Sequence, residues 1–119
     1  MKIMIVDDSR VARNTLRKAL VAGLVNVEFV EADDGMTAWA IIEKDQPDLL
    51  FTDWYMEKID GLQLTRKVRQ INQTIKICVL TSETNTERHK LVFDAGADSV
   101  LTKPFKNHQL AKVLQALLG

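Results

Sequence analysis

Short apolar runs of strand length alternate with amphipathic helical patterns five times along these 119 residues, and that alternation confines the chain to very few folds. A run, a helix and a further run make a βα unit, whose crossover connection sets consecutive strands parallel. The runs are Ile3 to Val6, Val27 to Val30, Asp48 to Thr52, Lys76 to Leu80 and Asp98 to Thr102. The second is short and interrupted by Glu28, as suits an edge strand. The expected architecture is α/β: a single (βα)5 domain over residues 1–119 with a doubly wound, five-stranded parallel sheet. That length supports one hydrophobic core and is too short for two ordinary ones.

The helical segments carry their own punctuation. Ser9 is an N-cap candidate for a helix running to about Ala22, with Val11, Leu16, Ala19 and Leu20 inward and Gly23 as its stop. Asp33 or Asp34 can cap the next, in which Ala38, Trp39, Ile41 and Ile42 keep a 3.6-residue period until Pro47 breaks it, and Trp39 is read as core. Gly61 opens a third with Leu64, Val68 and Ile71 inward. Thr84 to Glu87 has the form of a capping box before a helix ending near Ala95-Gly96, whose apolar face is thin: Leu91, Val92 and Ala95. The last helix, from about Asn107, places Leu110, Val113, Leu114, Leu117 and Leu118 at i, i+3, i+4, i+7 and i+8.

Five polar residues stand just past these runs: Asp7, Asp8, Asp53, Thr81 and Lys103. In a parallel sheet the C-terminal strand ends form one edge, where open α/β proteins bind ligands, so residues from the whole chain meet there. Adjacent carboxylates at Asp7 and Asp8 repel, and a shared divalent cation relieves that repulsion. Magnesium takes oxygen ligands and keeps several waters, so Asp7 and Asp8 with Asp53 are a suitable set; the alternative for Asp8 is capping the helix that follows. Asp53, fixed by the strand it ends, is suited to nucleophilic attack on phosphorus, with Lys103 and Thr81 taking phosphoryl oxygens. Taken alone, Thr81 is ordinary turn chemistry. The segment Trp54 to Asp60 lacks any regular period and follows Asp53 directly, which marks it as a functional loop.

Composition removes other classes. Sixteen basic residues balance sixteen acidic ones, so no global field draws the chain to nucleic acid or an anionic membrane, and direct DNA binding is not expected. There is no membrane-length apolar stretch and no signal-peptide pattern, which points to a cytoplasmic location. Cys78 lies inside an apolar run and reads as a buried, inert thiol. His89 and His108 have no ligand partners at metal spacing and read as solvated. Neither a Gly-rich phosphate loop nor G-x-G-x-x-G is present, which weighs against a nucleotide or flavin site. Tyr55 occupies the position, two residues after Asp53, where an Asp-nucleophile phosphatase would need a second carboxylate.

The motifs Ile5-Val6-Asp7-Asp8-Ser9, Asp53-Trp54-Tyr55-Met56, Asp60-Gly61, Leu80-Thr81-Ser82, Ala95-Gly96-Ala97-Asp98 and Lys103-Pro104-Phe105 together resemble the receiver domain of two-component response regulators, over the entire chain. The chain also resembles single-domain regulators of the CheY type, a flavodoxin-like arrangement with strand order 2-1-3-4-5. The resemblance implies phosphorelay signalling, of the chemotactic or a related kind. Asp53 would be the phosphoacceptor, supplied by a sensor histidine kinase or phosphotransfer protein. Mg²⁺ would be held by Asp7, Asp8, Asp53 and the backbone carbonyl of Tyr55. Thr81 and Lys103 would bond the phosphoryl group. The output would be a downstream protein partner at the face of the fourth helix, fifth strand and fifth helix. Such a domain phosphorylates and dephosphorylates itself as a signalling module, not as an enzyme. It can stand alone or be the receiver module of a longer regulator with a C-terminal effector domain.

Three positions depart from that family. Val100 stands where an aromatic switch residue is usual, and its branched side chain cannot swing in the same manner. Glu57 replaces the usual proline of the Asp53 loop. Tyr55 and Glu83 fill two variable positions that in the family tune loss of the phosphoryl group, and bulky Tyr55 is expected to shield the acyl phosphate.

Overall fold

The computed structural model describes all residues, 1–119. Ten elements alternate: β1 (Lys2–Val6), α1 (Arg10–Gly23), β2 (Glu28–Ala32), α2 (Gly35–Lys44), β3 (Leu49–Asp53), α3 (Gly61–Ile71), β4 (Lys76–Thr81), α4 (Thr86–Ala95), β5 (Ser99–Thr102) and α5 (Asn107–Leu118). All strand pairings are parallel and the order is β2-β1-β3-β4-β5, the doubly wound arrangement expected.

Successive side chains of a strand point to opposite faces, so each strand feeds two cores. Met4, Val6, Leu50, Ile77 and Val79 face the side covered by α2, α3 and α4, where Ala38, Ile42, Leu64, Val68 and Val92 meet them. Ile3, Ile5, Leu49, Phe51, Cys78, Leu80 and Leu101 face α1 and α5, packing on Leu16, Leu20, Leu110, Val113 and Leu117. Burial on both sides explains why these strands read as continuous apolar runs.

Ser9 caps α1 by accepting from the Ala12 N–H, so Asp8 is not that helix's cap, and Asp34 caps α2 through the Thr37 N–H. Asp60 caps α3 in a reciprocal box with Gln63. Several details differ from the sequence reading. Strands β3 and β5 begin one residue later than Asp48 and Asp98, and β3 and β4 run one residue further, so Asp53 and Thr81 are the last residues of their strands. Strand β2 begins one residue later and runs two further than expected, from Glu28 to Ala32. The cap of α4 is Asn85, which accepts from the Glu87 N–H; Thr84 forms no box because Glu83 already accepts from the Asn85 N–H and turns the loop one residue later. Val11, Ile71, Leu91 and Leu118 are exposed: Val11 lies off the Leu16–Leu20 stripe, Ile71 and Leu118 are the last residues of α3 and α5, and α4 buries Val92 without its neighbour Leu91. Trp39 is only partly buried and lies under the Lys67 ammonium, while Trp54 is the large indole of the core.

Two glycines hold the loop after β3 against its neighbours. A Cβ on Gly35 would stand 2.0 Å from the Ile59 carbonyl oxygen, and one on Gly61 would stand 2.4 Å from that of Asp53. The close approach these positions allow fixes the path of the chain between Asp53 and α3.

Candidate functional site

The parallel register delivers all five strand-end residues to one edge. Val6 pairs with Thr52, Asp53 with Leu80 and Thr81 with Thr102, so Asp7, Asp53, Thr81 and Lys103 emerge at the same level. One carboxylate oxygen from each of Asp7, Asp8 and Asp53 lies within 4.8 Å of the others. Asp7 is buried, Asp8 exposed and Asp53 intermediate, which grades the cluster from core to solvent.

Asp7 is the most firmly oriented member. Its Oδ1 accepts from the Ser9 N–H at 2.9 Å, its Oδ2 from Lys103 Nζ at 2.7 Å, and its backbone carbonyl from Arg13 Nη1 at 2.6 Å. Arg13 is itself paired with Glu31 at 3.0 Å, tying α1 and β2 to the base of the site. Lys103 also reaches Asp53 Oδ1 at 3.4 Å, so a single ammonium bridges the two carboxylates. Its backbone is anchored by an N–H donated to the Thr81 carbonyl at 2.8 Å, and the bond to Pro104 is cis. Thr81 is buried, and its hydroxyl oxygen accepts from the Glu83 N–H at 3.0 Å, leaving its own proton to donate.

The electrostatics follow from this crowding. Burial raises the Asp53 carboxyl above its ordinary value; nearby Lys103 pulls it back, and the Asp7 charge pushes it up again. Burial alone would lower the Lys103 ammonium, but its hydrogen bond to Asp7 and the charges of Asp53 and Asp7 together carry it above the usual lysine value. Lys103 pairs with Asp7 and Asp53 but not with Asp8, so the three-carboxylate cluster is short of positive charge. Hard oxygen donors, close spacing and excess negative charge fit a divalent cation such as Mg²⁺.

Several residues around the site were not legible in the sequence. Trp54, 1 % exposed, donates its backbone N–H to Asp53 Oδ1 at 3.1 Å and to the Leu80 carbonyl at 2.9 Å, locking the end of β3 to β4. His89 is not a solvated side chain: its Nε2 lies 2.6 Å from the Glu83 carbonyl oxygen, which can only accept, so Nε2 carries the proton. His108 is exposed, as expected. Cys78 is fully buried and its thiol is pushed up to about 12 by desolvation, which leaves it inert.

The family model for the response regulator receiver domain matches residues 3–115. The chain belongs to that family. As a receiver domain of two-component systems it is 38% identical over 118 residues to the response regulator MprA of Mycobacterium avium, and 37% identical to MprA of Mycobacterium leprae. In both cases the match covers 99% of this chain and 51% of the relative, so the receiver spans about half the length of these curated relatives. Among solved structures it is similar to the chemotaxis protein CheY4 of Vibrio cholerae, with 31% identity, a TM-score of 0.85, and 98% and 97% of the two chains covered. The Francisella response regulator 1452 receiver domain gives 25% identity and a TM-score of 0.86, covering 98% and 94%. No helix of the receiver is long and apolar enough to cross a membrane.

Proposed function

We propose that this receiver accepts a phosphoryl group on Asp53 from the phosphohistidine of a sensor kinase or phosphotransfer protein, and that the modification changes partner binding at the α4, β5 and α5 face. The observation that carries the reading is the Lys103 ammonium, which bridges Asp7 and Asp53 at the mouth of a three-carboxylate cluster. In the step itself, an Asp53 carboxylate oxygen bonds to phosphorus as the phosphorus–nitrogen bond of the donor breaks, and the imidazole leaves with the electron pair. Lys103 neutralises charge on the phosphoryl oxygens, and the Thr81 hydroxyl donates a hydrogen bond to one of them. The Trp54 N–H holds the carboxylate oriented. Asp7, Asp8, Asp53 and the backbone carbonyl of Tyr55 would hold Mg²⁺, which when bound supplies further charge neutralisation to the transferring group. Tyr55, half exposed beside Asp53, shields the product from water.

Once attached, the group carries about −1.5 to −2 charge, as a hydroxyl phosphoester does, in place of the single charge of the Asp53 carboxylate, a net gain of roughly one negative charge at an edge already rich in carboxylate. The same receiver serves equally as a free-standing regulator or as one part of a longer chain, and its interior role is the same in either. A cytoplasmic setting follows from the partners proposed.

The reading is tested by incubating the protein with Mg²⁺ and a small acyl phosphate donor and measuring the intact mass. A gain of one phosphoryl group in the wild type, absent in Asp53→Asn, is expected. An unmodified wild type, together with Trp54 fluorescence indifferent to Mg²⁺ and to beryllofluoride, would overturn it. Replacing Tyr55 by Ala should speed loss of the group, and unchanged or slower loss would remove the shielding role.

A further inference from the structure

Helix α4 brings to the site a cation that none of the roles above uses. Arg88, in its first turn, donates from Nη2 to the Tyr55 phenol oxygen at 3.3 Å, and its guanidinium carbon stands 5.4 Å from the centre of the Trp54 ring. Trp54 and Tyr55 are themselves stacked, with centroids 5.4 Å apart and planes 7° from parallel. The three side chains therefore close on one another. One of them is rooted, because Trp54 is buried and its backbone N–H holds Asp53. Another faces solvent: Tyr55 is 50 % exposed and borders the same cleft as Asp8. A half-exposed tyrosine on a loop ordinarily samples several rotamers, whereas this one is held at both its face and its hydroxyl.

We propose that Arg88 is a positioning residue, holding Tyr55 beside the phosphorylated Asp53 so that water reaches the acyl phosphate slowly. This rests on the reading of Asp53 as phosphoacceptor. In hydrolysis the oxygen of a water bonds to phosphorus as the bond from phosphorus to the Asp53 oxygen breaks. The carboxylate is regenerated, inorganic phosphate leaves, and one proton passes to solvent. That water must approach opposite the leaving oxygen, and a bulky ring fixed beside Asp53 narrows the approach. Arg88 acts through the ring, not on phosphorus. Because it belongs to α4, a displacement of that helix withdraws the clamp, which joins the lifetime of the signal to the position of the helix that reports it.

The test loads the wild type, Arg88→Ala, Arg88→Lys, Tyr55→Phe and the Arg88→Ala/Tyr55→Phe pair with a small acyl phosphate donor and Mg²⁺. The donor is then removed and decay of the phosphoprotein is followed by intact mass. Arg88→Ala should shorten the lifetime by about threefold to tenfold, the scale of one hydrogen bond and one cation–ring contact, with Arg88→Lys intermediate. In the Tyr55→Phe background the same change should have a clearly smaller effect, since the hydrogen-bonded partner is already gone. Trp54 fluorescence of the unphosphorylated protein should shift in Arg88→Ala and stay unchanged in Lys90→Ala, an exposed neighbour on the same helix. Full loading with an unchanged Arg88→Ala lifetime, or with strictly additive effects of the two substitutions, would overturn the clamp and leave the phosphoacceptor reading intact. A wild type that takes up no phosphoryl group would overturn both.

Discussion

Helices α4 and α5 cover opposite faces of the sheet, and they are held by different forces. Helix α5 buries Leu110, Val113 and Leu117 against the sheet, while α4 buries Val92 alone. At about 1.5–3 kcal/mol for each large aliphatic side chain taken from water, α5 has roughly three times the apolar anchorage. What α4 has in place of it is polar: the Asn85 cap, His89 to the Glu83 carbonyl, and Arg88 to Tyr55. Every one of these contacts lies in or against a loop that borders the Asp53 edge of the sheet. The position of α5 is thus a property of the fold, whereas the position of α4 depends on the geometry of the site.

The sharpest way to break that comparison is to truncate each anchor. Leu110→Ala should destabilise the whole domain by about 3 kcal/mol in urea unfolding, because a close-packed core cannot collapse around the lost atoms. Val92→Ala should cost less, about 1–2 kcal/mol, since fewer atoms are removed and the helix has room to settle. Equal losses would mean that α4 is anchored as firmly as α5. Hydrogen exchange refines the contrast without mutation. Amides of Leu91 to Ala95 should open locally, well below the global free energy, while those of Val113 to Leu117 should open only with it. Beryllofluoride with Mg²⁺ should alter the first set more than the second.

The smallest effect concerns charge at the site. The folded-state carboxyl of Asp53 is raised by burial, so its contribution to stability is present below the unfolded value and is lost as pH rises through the folded one. In metal-free buffer near neutrality Asp53→Asn should therefore melt higher than the wild type. The gap should close as the solution is acidified and the wild-type carboxyl protonates. A gap that widens towards acid would mean that Lys103 over-compensates for burial.

The fold was legible because two periods dominate the chain. Alternation of apolar strands with 3.6-residue stripes fixed the number and order of units, and strand ends marked by Asp7, Asp53, Thr81 and Lys103 located the edge. Where a helix ceases to touch the sheet is a tertiary matter, so Val11, Ile71, Leu91 and Leu118 looked inward and are not. The Arg88, Tyr55 and Trp54 contact joins residues more than thirty apart in the chain and leaves no periodic trace. His89 misled for a related reason: its partner is a main-chain carbonyl, which sequence does not mark. Val100 does pack against the α2, α3 and α4 side of the sheet, so the position usual for an aromatic switch is filled by a short, stiff side chain.

Cys78 gives the experimenter an internal clock. It is the only thiol, it sits fully buried on the interior strand β4, and burial pushes its pKa up to about 12 while the fold is closed. A thiol-specific reagent in excess can modify it only as often as the central strands part, so the labelling rate counts openings of the whole domain. Cysteines introduced on the surface, on α4 for instance, would react far earlier, and a probe could be attached there with the native residue left in place.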